Sequence, residues 1–399
     1  MTVTARPTTT RTPGRFTEAD CSLDDFAALV DRTTDLTDFP YATAVEKNVL
    51  VYDAAALRRA IASDRGRLEV ESELVHALTS GPGVVAFHGA FPDHQVVDRA
   101  TAAFDEIIAA ERAAGGGHND HFARAGANDR IWNALEKLAV RDPDTFVDYY
   151  GNDVLALVST AWLGPGYQVT SQVNVVRPGG QAQDPHRDYH LGFLSNETAA
   201  RFPAHVHLLS PVLTLQGAVA HSDMPVESGP TMYLPYSHAY EPGYLAWRLP
   251  EFRELFAGRY VQLPLAKGDA VFFNPALFHG AGTNVSADVQ RMANLLQVSS
   301  AFGRAMETVD RAKVSRAIFP VLRSRRRAGV DDASLADALA CAAEGYPFPS
   351  NLDLDANVDG LTPLSQAQVV QQALDEGWSD GRLDRELTAY DVRHRTHEI

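Results

Sequence analysis

Two stretches decide the fold: Gln-Asp-Pro-His-Arg-Asp-Tyr-His at 183–190 and Gly-Asp-Ala-Val-Phe-Phe-Asn-Pro-Ala-Leu-Phe-His-Gly at 268–280. The first carries His186 and Asp188, and the second carries His279. Side chains two positions apart on a strand point to the same side, so His186 and Asp188 can share one ion. Two imidazoles and one carboxylate on one face of a ferrous ion leave three positions open for a co-substrate and O₂. These residues predict a non-haem iron site.

The His-x-Asp pattern is weak by itself, because it begins at His118, at His186 and at His221. The copy at His118 follows three glycines, where a rigid strand is not expected. The copy at His221 ends an apolar strand but leads into a turn-rich stretch, which favours a polar loop with a capping Asp. The copy at His186 is matched by His279, which follows an apolar strand of its own. We therefore predict the metal site at His186.

Polar residues near these stretches are candidates for holding a co-substrate. Arg291 follows His279, and its guanidinium offers a fork of donors that can hold one end of a dicarboxylate. Asn174 and Gln172 lie on a strand-like stretch before His186, and one face of that strand should line the barrel. Both are candidates for contacting the co-substrate, with ordinary strand-edge polarity as the alternative.

Composition excludes several classes of protein. The 399 residues carry a net charge of −16, which opposes binding to a polyanion such as nucleic acid. No apolar run reaches the roughly 18 residues of a membrane-spanning helix, and the start of the chain lacks the apolar segment of a signal peptide. Two distant cysteines suggest no disulfide framework. We expect a cytoplasmic protein without nucleic-acid or membrane partners, and nothing in the sequence indicates its oligomeric state.

The pattern of apolar residues divides the chain into four parts. Residues 1–15 are expected to form a disordered tail, and residues 16–80 a helical extension. Residues 81–302 contain short apolar strands between Pro and Gly turns, which predict a mainly β core: a double-stranded β-helix, or cupin-like jelly roll. Residues 303–399 return to a helical pattern and are expected to pack on that core, so the jelly roll has flanking helices at both ends.

From about Gly83 to Phe302 the chain resembles the phytanoyl-CoA dioxygenase family of iron- and 2-oxoglutarate-dependent oxygenases. The family's pieces occur in order: 83–91 (GVVAFHGAF), 186–188 (HRD), 228–238 (SGPTMYLPYSH), 268–269 (GD), His279 and Arg291. The resemblance implies that His186, Asp188 and His279 bind Fe(II). It also implies that Arg291 holds the distal carboxylate of 2-oxoglutarate.

The chain departs from the family pattern at one position of the co-substrate site. Family members commonly carry a small hydroxyl residue two positions after the distal histidine, where it helps to bind the same carboxylate. This chain has Ala281 there. Thr283 and Ser286 are the candidates to replace the hydroxyl, and the alternative is that Arg291 works with water alone.

The resemblance implies a hydroxylase that acts on an unactivated C–H bond of a small or medium-sized metabolite. Its co-substrates would be 2-oxoglutarate and O₂, and its products would include succinate and CO₂. Tyr189 and His190 directly follow Asp188 and are then candidates for substrate contact. Two other classes stay open: a jelly-roll metalloenzyme acting as an isomerase or hydrolase, and a metal- or ligand-binding sensor without turnover. The sequence does not identify the substrate.

Overall fold

The strands of the described residues form two sheets. The computed structural model describes residues 14–114, 128–355 and 360–396. Within these ranges the strands are β1 (Ala44–Glu46), β2 (Val49–Asp53), β3 (Val84–His88), β4 (Asn128–Ile131), β5 (Gln168–Val176), β6 (Thr214–Ala220), β7 (Met232–Leu234), β8 (Ala270–Phe273), β9 (Phe278–Gly280) and β10 (Arg291–Ser299).

The larger sheet has the order β1-β2-β3-β8-β6-β10-β5-β4, and the smaller sheet pairs β7 with β9. β2 and β3 run parallel, whereas all other neighbours in the described chain are antiparallel. Single bridges extend the smaller sheet on both sides, from Tyr233 to Val261 and from His279 to His186. This two-sheet arrangement confirms the predicted double-stranded β-helix.

Helices pack around the sheets, and several begin at a side chain that caps the first turn. Asp53, Ser63 and Asn152, for example, accept hydrogen bonds from backbone N–H groups of the helices that follow them. In chain order the helices are α1 (Leu23–Val30), α2 (Ala54–Ala60), α3 (Asp64–Thr79), α4 (His94–Ala113), α5 (Ala134–Arg141), α6 (Pro143–Tyr150), α7 (Asp153–Leu163), α8 (Asn196–Ala199), α9 (Ala204–Leu209), α10 (Gly243–Ala246), α11 (Pro250–Arg259), α12 (Arg311–Arg327), α13 (Asp332–Ala342), α14 (Gln366–Asp375) and α15 (Asp380–Arg393).

Alternation along the strands separates two apolar layers. On β10, Leu296 and Val298 belong to the large core that the sheet forms with the helices. Ala293 and Leu295, on the opposite face of the same strand, belong to or pack against a smaller cluster inside the barrel. Because successive side chains of a strand point to opposite faces, each strand supplies both layers. The inner layer is the one that surrounds the candidate site.

The structure changes two of the expectations. Residues 16–80 are not only helical, because β1 and β2 lie in this segment and extend the larger sheet through β3. The apolar run of β2 pairs in parallel with β3, and a short buried run of this kind cannot be assigned to a strand by periodicity alone. The description "mainly β" is also too strong, since helices hold more of the described residues than strands do.

The division of the chain at residues 80 and 302 stays a prediction. The expected tail at 1–15 lies outside the described residues, apart from Gly14 and Arg15. In the C-terminal part, Ile318 and Phe319 of α12 are buried in the large core. In the described ranges, no helix combines the length and apolar character that crossing a membrane requires.

Candidate metal centre

His186 and His279 face each other across two neighbouring backbone segments. The backbone N–H of His186 donates to the carbonyl of His279 at 2.9 Å, and that of His279 donates back at 3.2 Å. Residues that exchange both hydrogen bonds carry their side chains on the same face of the sheet. The two ring centroids are accordingly 4.5 Å apart. Antiparallel pairing thus brings together two histidines that are far apart in the sequence.

Asp188 completes the group of candidate ligands. Its Oδ1 lies 3.6 Å from Nε2 of His186, and its Oδ2 lies 3.3 Å from Nε2 of His279. One ligand atom from each residue lies within 4.8 Å of the other two. The structure therefore brings together the three residues that the sequence pattern selected, and their donor atoms are close enough to surround one divalent ion.

Backbone carbonyls fix the orientation of both rings. Nδ1 of His186 donates to the carbonyl of Asp184 at 2.8 Å, and Nδ1 of His279 donates to the carbonyl of Leu277 at 2.8 Å. A carbonyl only accepts, so each Nδ1 carries the proton and each Nε2 keeps its lone pair. Burial lowers the pKa of His186, which favours the neutral ring that a metal requires.

The carboxylate of Asp188 is charged although it is half-buried. Burial alone raises its pKa, but the imidazoles of His186 and His279 and a hydrogen bond from Gln216 outweigh this effect and lower the pKa below its ordinary value. Nε2 of Gln216 donates to Oδ2 at 2.5 Å. Two imidazole nitrogens and one anionic oxygen form the donor set of a facial triad.

The three residues open onto a cavity of about 670 Å³ that also contains Arg291. The Arg291 side chain is buried, and burial lowers its pKa to about 10, so it remains a cation at neutral pH. No residue of the described ranges forms a hydrogen bond or ion pair with its guanidinium. A buried cation without a partner is costly, and an anionic ligand in the cavity would offset that cost. The cavity thus fits a metal at one point and a carboxylate at another.

The two amides selected from the sequence, Gln172 and Asn174, both line this cavity. Oε1 of Gln172 accepts from Nη1 of Arg130 at 2.8 Å, and its Nε2 donates to Oε1 of Gln297 at 3.4 Å. Oδ1 of Asn174 is buried and has no hydrogen-bond partner among the described residues. Of the two amides, Asn174 is therefore the one whose side-chain oxygen has no hydrogen-bond partner in the described ranges.

The hydroxyl groups near Arg291 differ from those chosen in the sequence. Oγ1 of Thr283 accepts from the backbone N–H of Ala182 at 3.0 Å, and Thr283 does not line the cavity. Thr231 and Tyr233 do line it, together with Arg291. Tyr233 lies opposite His279 in the pairing of β7 with β9, and this long-range register has no signal in the local sequence.

Tyr189 and His190 lie beside the metal centre but not on its cavity. Tyr189 is buried, and neither residue is part of the cavity lining in the described chain. Nδ1 of His190 instead lies 2.9 Å from Oγ of Ser210. Large side chains that do line the cavity were not selected from the sequence; they are Trp132, Phe193, Trp247 and Met306.

The other His-x-Asp copies have different surroundings. His118 lies outside the described residues. Nδ1 of His221 lies 2.8 Å from Oγ1 of Thr101, and its Nε2 lies 2.7 Å from the hydroxyl of Tyr149. Burial lowers the pKa of His221 to about 3. Its ring is neutral and both nitrogens are already bonded within the protein, so it offers no free donor to a metal.

Arg187, between the two ligands of the first copy, is a further residue that sequence reasoning missed. Its side chain is buried, and Nη2 donates to the carbonyls of Ser237 and Tyr240 at 2.7 and 2.8 Å. The guanidinium also lies 5.0 Å from the centre of the Tyr244 ring. A side chain on Gly243 would bring its Cβ within 2.1 Å of this guanidinium. Arg187 therefore fastens the segment that carries His186 and Asp188.

Comparison with known proteins gives one family match and several similar folds. Residues 80–293 match the family described as phytanoyl-CoA dioxygenase (PhyH). One solved structure is the non-heme alpha ketoglutarate dependent epimerase SnoN from nogalamycin biosynthesis, with 21% identity, a TM-score of 0.41, and coverage of 62% of this chain and 82% of SnoN. Another is AviO1 from Streptomyces viridochromogenes Tue57, with 17% identity, a TM-score of 0.43, and coverage of 59% and 97%. The comparison with curated proteins gives no match.

The family match covers more than half of the chain and includes His186, Asp188, His279 and Arg291. The resemblance noted in the sequence is thereby confirmed, and with it the prediction that the cofactors are iron, 2-oxoglutarate and O₂. The chain belongs to the phytanoyl-CoA dioxygenase family of iron- and 2-oxoglutarate-dependent enzymes.

Proposed function

We propose that this enzyme is an Fe(II)- and 2-oxoglutarate-dependent dioxygenase that hydroxylates an unactivated C–H bond of a small or medium-sized metabolite. Succinate and CO₂ would be released in each turnover. One observation carries the proposal: three candidate ligand atoms within 4.8 Å of one another share a cavity with the buried Arg291 guanidinium, which has no hydrogen-bond or ion-pair partner among the described residues. A metal site and an anion site in one cavity are what a dicarboxylate co-substrate requires.

His186, Asp188 and His279 would hold the iron through two Nε2 atoms and one carboxylate oxygen. When bound together, iron, 2-oxoglutarate and O₂ supply an oxidant strong enough to take hydrogen from a C–H bond. The protein contributes rings that are already oriented, because the carbonyls of Asp184 and Leu277 hold both Nδ1 protons. It also leaves the cavity side of the three donors open for ligands.

Arg291 would bind the distal carboxylate of 2-oxoglutarate. A guanidinium holds a carboxylate through two parallel hydrogen bonds, and burial strengthens them. Thr231 and Tyr233 line the same cavity, and we propose that they supply the hydroxyl that Ala281 lacks. Asn174 would be a further contact, since Gln172 is already bonded to Arg130 and Gln297.

The cavity would admit the substrate beside the co-substrate. Its volume of about 670 Å³ lies in the range of small-molecule sites. The large apolar side chains of Trp132, Phe193, Trp247 and Met306 could enclose a hydrocarbon portion and keep water from the reacting C–H bond. A metabolite that carries an apolar part is therefore the substrate class that we propose.

Anaerobic titration with Fe(II) and 2-oxoglutarate tests the proposal. We expect a weak visible absorption band that requires both components, followed by O₂-dependent release of succinate. Metabolite screening then identifies the compound that increases this release and gains an oxygen atom. Metal binding without a 2-oxoglutarate-dependent band or succinate would reject the proposal. Conversion of a metabolite without 2-oxoglutarate consumption would instead identify an isomerase or hydrolase, and ligand binding without turnover would identify a sensor.

A further inference from the structure

Gln216 on β6 contacts one specific oxygen of Asp188. Its Nε2 lies 2.5 Å from Oδ2, whereas Oδ1 is the oxygen nearer to His186. A carboxylate only accepts hydrogen bonds, so the amide must direct its NH₂ group towards Asp188. The hydrogen bond therefore has a defined direction and occupies one of the two carboxylate oxygens.

The other end of the same amide makes no comparable contact. Oε1 of Gln216 is buried and has no hydrogen-bond partner among the described residues. A buried carbonyl without a partner destabilises the fold, because its hydrogen bonds to water are lost and not replaced. The neighbouring inner-face positions on β6, Ala218 and Ala220, are apolar. An apolar residue at 216 would continue this layer without an unpartnered carbonyl, but the Asp188 carboxylate would lose this donor.

We propose that Gln216 is a positioning residue that orients the Asp188 carboxylate for metal binding. Held at Oδ2, the carboxylate cannot turn about its terminal bond, and Oδ1 is left for the ion. Attachment through one oxygen keeps the remaining metal positions open for 2-oxoglutarate and O₂. This inference rests on the proposed function, because it takes Asp188 as a ligand of the iron.

Gln297 provides a matched control on the adjacent strand. It lies directly opposite Gln216 in the pairing of β10 with β6, and it lines the same cavity. Its Oε1 accepts from Gln172 at 3.4 Å, and it makes no hydrogen bond with Asp188. The same substitution at 216 and at 297 removes the same amide from the same wall, but only the change at 216 removes the contact with the carboxylate.

The experiment measures Co(II) binding, because the visible spectrum of Co(II) reports coordination geometry without turnover. Gln216→Met should weaken Co(II) binding by about 10- to 100-fold, which is the usual effect of removing a group that orients a ligand. Its spectrum should also change, whereas Gln297→Met should retain the parent affinity and spectrum. The metal-free Gln216→Met protein should remain folded, which thermal unfolding checks, because it loses both a hydrogen bond to Asp188 and an unpartnered carbonyl, and these two changes have opposite effects on stability.

Two further variants keep the result decisive. Gln216→Asn retains the amide but is one carbon shorter, so it should show the same loss of Co(II) affinity. It takes the place of Gln216→Met if Met at position 216 disturbs folding. Parent affinity and spectrum in both 216 variants would overturn the positioning role. Asp188→Ala separates this outcome from failure of the proposed function. If that variant still binds Co(II) like the parent, Asp188 is not a ligand; if it loses Co(II) while the 216 variants do not, only the inference about Gln216 fails.

Discussion

The segments His186-Arg187-Asp188 and His221-Ser222-Asp223 have the same pattern but opposite chemistry. Each ring of the metal centre uses one nitrogen for a backbone carbonyl and keeps the other free beside a carboxylate. The His221 ring uses both nitrogens for the hydroxyls of Thr101 and Tyr149. Asp223 accepts instead from the backbone N–H of Lys267 at 2.9 Å.

The residues between the histidine and the aspartate, Arg187 and Ser222, also differ in their contacts. Arg187 crosses to the carbonyls of Ser237 and Tyr240 and fastens the ligand-bearing segment to a distant loop. Oγ of Ser222 accepts from the backbone N–H of Met292 at 3.1 Å. The comparison teaches that residue types at a given spacing do not make a metal site. A free ring nitrogen and a third ligand from another strand are also needed.

The largest expected effect distinguishes the histidines of the candidate metal centre from His221. His186→Ala and His279→Ala should each abolish Fe(II) binding, since each removes one of the three protein ligands that we propose. His221→Gln should retain the metal and lose stability, because it breaks bonds to Thr101 and Tyr149. Metal content after dialysis and thermal unfolding measure the two effects. Loss of metal in folded His221→Gln would invalidate the contrast between the copies.

The second prediction compares the two middle residues. Arg187→Met removes the guanidinium donor to the buried carbonyls of Ser237 and Tyr240, which then keep only the backbone N–H groups of Tyr240 and Gly243 at 3.4 and 3.0 Å. We expect the free energy of unfolding to fall by about 3 kcal/mol. Ser222→Ala removes one hydrogen bond and should cost about 1 kcal/mol. Urea unfolding of the metal-free proteins measures both changes, and equal losses would show that Arg187 has no special anchoring role.

Arg291→Lys keeps the positive charge in the cavity but loses the two parallel hydrogen bonds that a guanidinium can donate to a carboxylate. The affinity for 2-oxoglutarate should fall by about 1 to 3 kcal/mol in the Fe(II)-loaded protein. Anaerobic titration of the visible band gives this affinity. Arg304→Lys is the control, because Arg304 is close in sequence but does not line the cavity. If Arg304→Lys loses affinity and Arg291→Lys does not, the carboxylate site has been assigned to the wrong arginine.

The buried neutral ring of His221 predicts sensitivity to acid. Burial lowers its pKa to about 3 against a small opposing effect of Asp98, while the unfolded chain has the ordinary value of 6.5. Below pH 6.5 the unfolded state therefore binds a proton that the folded state does not. The free energy of unfolding accordingly decreases as the pH decreases. The loss should approach about 1.4 kcal/mol per pH unit until the folded pKa is reached. Urea unfolding from pH 6.5 to 4.5 should show a shallower slope in His221→Gln than in the parent, and identical slopes would contradict the argument.

The three candidate ligands that the structure brings together could be selected from the sequence because much of the signal is local. His186 and Asp188 lie within one short segment, and the family resemblance linked them to His279 and Arg291. The contacts of Gln216, Arg187 and Tyr233 depend on which strand or loop lies opposite, and a single sequence does not contain that register. Thr283 was selected because it follows His279 closely, but its hydroxyl is bonded to Ala182.

The fold shows the same limit. The short strands between Gly83 and Phe302 were recognisable from alternation and from Pro and Gly turns, so the barrel could be predicted. β1 and β2 were missed because their neighbours α1, α2 and α3 dominate the helical pattern of residues 16–80. A parallel pairing such as that of β2 with β3 joins residues with intervening helices, and only the folded chain reveals it.

The smallest predicted effect concerns the hydroxyl that the family pattern lacks. Tyr233→Phe should weaken 2-oxoglutarate binding by about 1 kcal/mol, the usual contribution of one hydrogen bond, without changing Fe(II) affinity. Ala281→Ser restores a hydroxyl at the family's position and should recover the loss when combined with Tyr233→Phe. Thr283→Val is the control, because Thr283 does not line the cavity and its hydroxyl accepts from the backbone N–H of Ala182. A loss in Thr283→Val equal to that in Tyr233→Phe, or no recovery in the double variant, would remove Tyr233 from the carboxylate site and leave Arg291 to hold it with water.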